Sequence, residues 1–345
     1  MKMFKYELQN AADCLVKDMF RVKKGETVVI TADTCSYEDV VDAVASSAAA
    51  AGAKLLVINM PTPGGVGKAA DPDLPVEALS AVLTKADVWM EFNHQWLLYS
   101  TPFENAMRDN KNLRYMCLVD IDAAVFTRII GSVDLEQLRK FMIAAREKHL
   151  DAKVMRVTTP AGTDVSFEID PGHLMQLDYG DASAPGMWMA PGQFNIVPRF
   201  GTVNGRIVFD GTVTPPFGKQ LSENISLTVE NGVIQKVEGG SEAVQYESWL
   251  KSFGDPGMFK MAHIAYGFNP GAILTGNVVE DERVWGCTEW GIGYVSPLDA
   301  PPAGQDAASH TDGICLNTSV WLDGEPFMEE GRIVDPELKA LSPVK

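Results

Sequence analysis

A chain of 345 residues, 46% hydrophobic and 22% charged, is long enough for two globular domains with separate cores. Its formal net charge of -17 repels phosphate backbones and anionic bilayers, so neither nucleic acid nor a membrane surface is an expected partner. Five widely spaced cysteines (Cys14, Cys35, Cys117, Cys287, Cys315) with no CxxC spacing argue against a disulfide framework and against cysteine-ligated zinc. Met1 to Glu7 has no apolar signal-peptide core, and the alanine-rich run from Val44 to Ala53 is too short and polar to span a bilayer. A reducing cytoplasm is the expected compartment.

The first part of the chain alternates strand and helix patterns. Thr27 to Thr31 reads as a buried strand, and a helix follows from about Tyr37 with Gly52 as its stop signal. Lys54 to Met60 reads as a second buried strand, and Asp87 to Phe92 and Leu113 to Val119 as two more. Continuous apolar strands separated by helices predict a parallel sheet covered on both faces. A charged helix from about Leu135 to Lys148 is expected to close this unit. Between the strands, Pro61 to Lys68 has the look of a phosphate loop. It lacks the first glycine at the required spacing, and Ala69 stands where a magnesium-binding Ser or Thr belongs, so it reads as a connection.

After about residue 150 the pattern becomes strand-rich. Val154 to Glu168 predicts a hairpin, Gly205 to Gly211 a strand, and Ile225 to Val237 a second hairpin turning at Asn231-Gly232. One helix is expected near Tyr246 to Phe253. The expected organisation is an α/β domain with a parallel sheet over residues 1–150 and a strand-rich α+β metal-binding domain over 151–345. His149 and His173 read as surface or turn residues. No GxGxxG, GxSxG or HExxH occurs.

The motif richest in chemistry is His310-Thr311-Asp312. Residues two apart on a strand share a face, so an imidazole and a carboxylate stand side by side. A second histidine, His263, lies in the run Met261 to Gly267. Two histidines and one carboxylate can hold Fe(II) on one triangular face and leave the opposite face open, as in non-haem iron oxygenases. His-x-Asp also arises as a histidine bonded to a neighbouring carboxylate, and spacing alone leaves both readings open.

Three stretches of the second half add context. They are Gly239 to Ala243 continuing through Gly254-Asp255-Pro256 to Ala262–Pro270, then Gly291 to Ser296, then His310-Thr311-Asp312 followed by Ser319 to Gly324. In order and spacing they resemble the group that joins M29-type metallo-aminopeptidases to the 2,5-dihydroxypyridine 5,6-dioxygenases. The resemblance covers most of residues 150–335, and the first half only in its strand–helix order. It implies an M29 aminopeptidase-like fold and a homo-oligomer.

The two branches differ in their ligands. The aminopeptidases hold two metal ions, and the resemblance places a glutamate of theirs at His263, a histidine at Glu289, a tyrosine at Ser296 and a glutamate at about Gln193. The dioxygenases have histidine, then histidine and aspartate, with a serine where Ser296 stands. The resemblance thus implies Fe(II) on His263, His310 and Asp312 and ring cleavage of 2,5-dihydroxypyridine or a related hydroxylated ring with O₂. The alternative is an M29-type aminopeptidase or other metallohydrolase using zinc or cobalt. The dioxygenases carry Leu-Leu-His-Ser where this chain has Leu97-Leu98-Tyr99-Ser100. Tyr99 therefore replaces their proton-moving histidine, and nearby His94 is the candidate substitute. Gln176 stands where they have a glutamate facing substrate, and Met187-Trp188-Met189 lies where a further histidine is expected. Tyr99, His94 and Ser296 are the expected catalytic residues, and Leu98, Gln176, Gln193 and Glu289 the expected substrate contacts.

Overall fold

The computed structural model describes residues 5–344. The chain forms two compact units. The first holds the residues up to Val133 together with Asp178–Pro191, and the second holds Asp134–Leu177 and the residues from Gly192 onward.

The first unit is built on a five-stranded, all-parallel sheet. Its strands are β1 (Thr27–Asp33), β2 (Lys54–Met60), β3 (Val88–Glu91), β4 (Arg114–Cys117) and β5 (Gly186–Met189), in the order β2-β1-β3-β4-β5. The apolar runs fill its centre, with Val28, Val29, Ile30, Val88, Trp89 and Met90 fully buried. The helix Glu38–Ala50 follows β1 and ends before Gly52, whose φ of 82° supplies the left-handed turn. Two features differ from the sequence reading. β2 is the outer strand rather than a buried one, and Leu56 and Val57 are each 42% exposed. An outer strand pairs on one side only, so its hydrophobicity reports strand propensity rather than burial. β5 is contributed by residues far beyond position 150, and it lies parallel to β4. The Pro61–Lys68 connection leads into a short 3-10 helix, Gly67–Asp73, and is held internally by the Gly64 N–H donating to Asp73 at 2.8 Å.

The second unit contains two antiparallel sheets. The larger has eight strands in the order 233–239, 225–230, 204–209, 164–168, 154–158, 319–322, 325–329 and 332–333. Both predicted hairpins are in it. The turn at Asn231 (φ 52°) and Gly232 (φ 74°) has the paired positive φ of a type I′ hairpin. The smaller sheet has six strands in the order 213–214, 305–315, 288–295, 261–267, 193–196 and 175–178. Four of these position the site: β6 (Gln193–Ile196), β7 (Met261–Gly267), β8 (Thr288–Val295) and β9 (Gln305–Cys315).

The helix Leu135–Leu150 belongs to this second unit, not to the first. Its buried face, Leu138, Phe141, Met142, Ala145 and His149, explains why. Phe141 packs edge-on against Phe268 at 5.0 Å, and His149 Nε2 meets the Tyr266 hydroxyl at 2.7 Å. His149 is thus a fully buried core residue rather than a surface one, with its second nitrogen on the Ala145 carbonyl at 2.8 Å. A histidine satisfied at both nitrogens can replace an apolar residue in a core. His173 does sit in a turn, its N–H donating to the Asp170 carbonyl. Among the described residues no helix is long and apolar enough to cross a membrane.

Candidate metal centre

Strand register brings the distant ligand types together. β7 pairs antiparallel with β8, placing His263 opposite Gly291, and β8 pairs with β9, placing Gly291 opposite Asp312 and Gly293 opposite His310. Bulges interrupt both ladders, between Met261 and His263 and between Gly293 and Val295. Such irregularities re-aim side chains at the end of a sheet.

His310 and Asp312 emerge on one face of β9, with Nε2 and Oδ1 3.0 Å apart. His263 Nε2 stands 3.7 Å from the same carboxylate oxygen. The two imidazoles lie nearly parallel, their centroids 5.1 Å apart and their planes at 19°. Ligand atoms of His263, His310 and Asp312 all fall within 4.8 Å of one another, a group able to hold a metal ion. Gly291 makes this approach feasible, because a Cβ there would lie 2.4 Å from His263 Cε1.

The surroundings fix the ring chemistry. His310 Nδ1 lies 2.8 Å from the Tyr294 carbonyl, which can only accept, so Nδ1 carries a proton and Nε2 is the nitrogen that faces Asp312. Burial pulls the His310 pKa down, but the Asp312 carboxylate outweighs it and the net shift is upward. Burial also works against the Asp312 charge, yet the paired His310 holds this carboxyl below its ordinary range. Burial, then the charge of His310, lowers His263 to about 4, which favours the neutral imidazole that a metal needs.

A buried acidic network backs these three residues. Glu289, on β8 and fully buried, places Oε1 2.9 Å and Oε2 3.1 Å from His263 Nε2. Gln193 of β6 donates to Glu289 at 3.4 Å and to Glu282 at 3.0 Å. Arg283, only 1% exposed, donates to the Gln193 Oε1 at 2.9 Å and to Glu282 at 3.1 Å. Burial, followed by the charges of Asp312 and Glu282, pushes Glu289 well above the carboxylate range. Burial and Asp312 push Glu282 to about 7. Glu289, Glu282 and Asp312 thus share a small buried volume with one guanidinium, and Glu289 Oε1 has no hydrogen-bond donor. An orphaned carboxylate oxygen inside a cluster of like charge fits a bound cation, which would offset the desolvation and the repulsion together.

Gln193, an expected substrate contact, spends its amide on these internal bonds. Ser296 follows β8, is fully buried, and its Oγ accepts the Leu298 N–H at 3.2 Å. Gln176 lies on the outer strand Met175–Asp178 of the same sheet. Glu282 and Arg283 were not singled out from the sequence. They follow the short helix Val278–Asp281, where a run of charges carries no periodic signal of burial.

The remaining expected site residues stand in the first unit, on the loop after β3. Two buried carboxylates shape this loop. Asp33, at the end of β1, accepts the N–H groups of His94 at 2.7 Å and Gln95 at 3.3 Å, and Glu91 accepts that of Leu97 at 2.5 Å. His94 Nδ1 bonds Asp120 Oδ1 at 2.7 Å, and Leu98 is buried. Tyr99 has φ 66°, the left-handed region that a bulky side chain rarely enters. Its ring packs edge-on to Phe103 at 5.8 Å. Such strain persists only where neighbours enforce it, and it concentrates at functional positions.

Comparison with known proteins bears on this arrangement. The model of the NicX family, 2,5-dihydroxypyridine 5,6-dioxygenase, matches residues 14–335. A 2,5-dihydroxypyridine 5,6-dioxygenase of Pseudomonas putida KT2440 is 27% identical over 212 residues, covering 59% of this chain and 60% of that protein. The chain thus spans less than two thirds of that curated relative. Among solved structures, the 2,5-dihydroxypyridine dioxygenase of Pseudomonas putida KT2440 superposes with a TM-score of 0.79 at 21% identity, covering 97% of this chain and 99% of that one. AmpT of Thermus thermophilus gives a TM-score of 0.69 at 14% identity, with 96% and 100% covered. These two structures establish the shared fold, as the sequence resemblance implied.

Proposed function

Because the chain belongs to the 2,5-dihydroxypyridine 5,6-dioxygenase (NicX) family, we propose that it is a mononuclear Fe(II)-dependent dioxygenase that opens the ring of 2,5-dihydroxypyridine or a related hydroxylated heteroaromatic compound. The observation that supports this reading is the cluster of two imidazoles and one carboxylate on the β7–β9 face, the one such group among the described residues. His263, His310 and Asp312 would hold the ion. Fe(II) bound there would supply the redox chemistry that lets O₂ react with an electron-rich ring.

The protein's own groups prepare that encounter. The Tyr294 carbonyl holds a proton on His310 Nδ1, which leaves Nε2 as the nitrogen for the ion. Both Glu289 oxygens lie beside His263 Nε2, at 2.9 and 3.1 Å, so this carboxyl borders the nitrogen that would meet the ion. A ring hydroxyl must lose its proton before the ring can release electrons. In this reading His94 accepts it, since Asp120 occupies Nδ1 and leaves Nε2 as the base. Tyr99, a weak base at neutral pH, donates a hydrogen bond to a ring oxygen instead of accepting a proton. Ser296 orients water or substrate, and Leu98 and Gln176 contact the ring. Tyr99 and Gln176 stand where the dioxygenases carry a histidine and a glutamate, so the preferred ring is a relative of 2,5-dihydroxypyridine. The five cysteines are free thiols, in keeping with a cytoplasmic enzyme.

The test is O₂ uptake by Fe(II)-loaded protein across a panel of hydroxylated pyridines, run beside leucine p-nitroanilide hydrolysis with Zn(II) or Co(II). Uptake of one O₂ per ring lost is the expected result. Hydrolysis without O₂ uptake would overturn the proposal in favour of a metallohydrolase.

A further inference from the structure

We propose that Glu91 is a positioning residue for Tyr99: its ionised carboxylate anchors the turn on which Tyr99 stands, so that a proton taken up inside the first unit loosens the loop. The inference rests on the reading of Tyr99 as a substrate contact and goes beyond it, to what holds Tyr99 in place.

The loop itself shows the need for an anchor. Leu97, Leu98, Tyr99 and Ser100 form one turn, closed by the Ser100 N–H donating to the Leu97 carbonyl at 2.9 Å. Tyr99, its third residue, has the positive φ, 66°, that turns usually give to glycine or asparagine. A turn that disfavours its own side chain keeps its shape only while both ends are held. The far end is held by the helix Thr101–Asp109, where the Ser100 hydroxyl accepts the Phe103 N–H at 3.4 Å and Asp71 accepts the Thr101 N–H at 2.8 Å. The near end is held at Trp96, whose carbonyl accepts the Gly67 N–H at 2.9 Å, and at Leu97 itself, whose N–H donates to Glu91 Oε1 at 2.5 Å. The other Glu91 oxygen accepts the Tyr115 hydroxyl at 2.5 Å. The Tyr115 ring lies 5.1 Å from Phe103, and Phe103 lies 5.8 Å from Tyr99, so an aromatic row leads from the anchor back to the residue it presents.

Glu91 is fully buried at the end of β3. Thr31 of β1 and Cys117 of β4 stand opposite it, with Asp33 two residues further along β1 and Tyr115 two residues back along β4. Burial raises its pKa to about 7; the Tyr115 hydroxyl and the Leu97 N–H work against this by favouring the charged form, and the Asp33 charge adds to it. Burial also keeps Tyr115 well above the ordinary tyrosine value, so its hydroxyl remains a donor. A hydrogen bond to an ionised acceptor is roughly twice as strong as one to a neutral acceptor. The carboxylate therefore grips Leu97 at full strength at high pH, and as pH falls through about 7 the neutral acid grips it less and the turn relaxes.

The experiment compares Fe(II)-loaded wild type, Glu91→Gln, Tyr99→Phe and the double variant in kcat/KM for 2,5-dihydroxypyridine, and follows hydrogen exchange of the Phe92–Ser100 segment on both sides of the Glu91 value of about 7. At high pH each single substitution should cost about tenfold in kcat/KM, short of the ~10²-fold that a misplacement of about 1 Å can cost. The double variant should lose no more than either single one, because both changes remove the same contact; losses that multiply to about a hundredfold would overturn the proposal. Exchange, corrected for its intrinsic pH dependence, should quicken in the wild type as pH falls through about 7 and be fast at either pH in Glu91→Gln. Tyr115→Phe keeps the ring but removes a bond that favours the charged form, so it should move the wild-type midpoint to higher pH. That variant reads the anchor even where Glu91→Gln does not fold. Loop exchange that ignores pH in the wild type and is unchanged in Glu91→Gln and Tyr115→Phe overturns the anchor. A loop that follows Glu91 in a protein that consumes no O₂ with any hydroxylated pyridine overturns the reading of Tyr99 as a substrate contact and leaves the anchor standing.

Discussion

His263, His310 and Asp312 stand on strands whose hydrogen-bond ladders hold them in register, with Gly291 opposite both His263 and Asp312. His94, Leu98 and Tyr99 stand on a loop whose backbone is tied to Asp33 and Glu91 by side-chain hydrogen bonds. The two regions hold their side chains in different ways. A sheet face fixes ligand geometry so tightly that a change of residue type alters the ion it can hold. A loop can exchange histidine for tyrosine and keep its path, because the carboxylates that shape it grip backbone N–H groups rather than the exchanged side chain. In the proposed reading the sheet carries what the chain shares with the dioxygenases, and the loop carries where it departs from them.

Breaking the sheet side should have the largest effect. His310→Ala is expected to weaken Fe(II) binding by more than the ~10–100-fold that outer-shell changes cost, measured by anaerobic equilibrium titration. Wild-type affinity in that variant would remove His310 from the ligand set. Gly291→Ala tests the register itself, because the added Cβ meets the His263 ring at 2.4 Å. Its metal affinity should fall by about 10–100-fold with secondary structure intact. Affinity within twofold of wild type would show that the ring has room to move.

On the loop side, Tyr99→His should leave Fe(II) affinity unchanged and raise kcat/KM for 2,5-dihydroxypyridine by about tenfold, less than the ~10²–10⁴-fold that a fully positioned proton acceptor contributes. A changed metal affinity would mean that the two regions are not separable. The smallest effect concerns the second unit's core. Burial lowers the His149 pKa to about 4, against an ordinary value of 6.5. A depressed pKa gives stability that is full above pH 6.5 and lost as pH falls through 4. Denaturant titrations should show the wild type losing up to about 3 kcal/mol over that window. His149→Phe, less stable at neutral pH because the Tyr266 hydroxyl loses its nitrogen acceptor and keeps only the weaker Met155 sulfur, should show a shallower decline. Parallel pH curves would mean that His149 is not the group responsible.

Much of the fold could be read from periodicity. Thr27–Asp33, the helix after it, and the hairpin at Asn231-Gly232 are local signals of strand, stop and turn. What could not be read is what depends on partners distant in sequence. Lys54–Met60 has the apolar content of a central strand, but its place at the sheet edge is set by strand order. Gly186–Met189 is four residues long, too short to announce that the chain returns to the parallel sheet. His149 looks like a polar residue near a helix end until Tyr266, more than a hundred positions away, supplies its partner.

The site divides in the same way. His310 and Asp312 were legible because their proximity is a property of one strand. His263 was named beside them as a second histidine, but spacing could not join it to them, and only the β7–β8–β9 register shows how it reaches them. Glu282 and Arg283 gave no signal, since a charged run after a short helix reads as solvated. Their burial follows from Gln193, a neutral amide able to bond an acid and a guanidinium at once.

The most direct measurement is metal stoichiometry, by anaerobic titration of apo protein with Fe(II) and separately with Zn(II). The account predicts one tight Fe(II) per chain, lost in His263→Ala. Two divalent ions per chain, indifferent to that substitution, would contradict it and mark the chain as a dinuclear hydrolase.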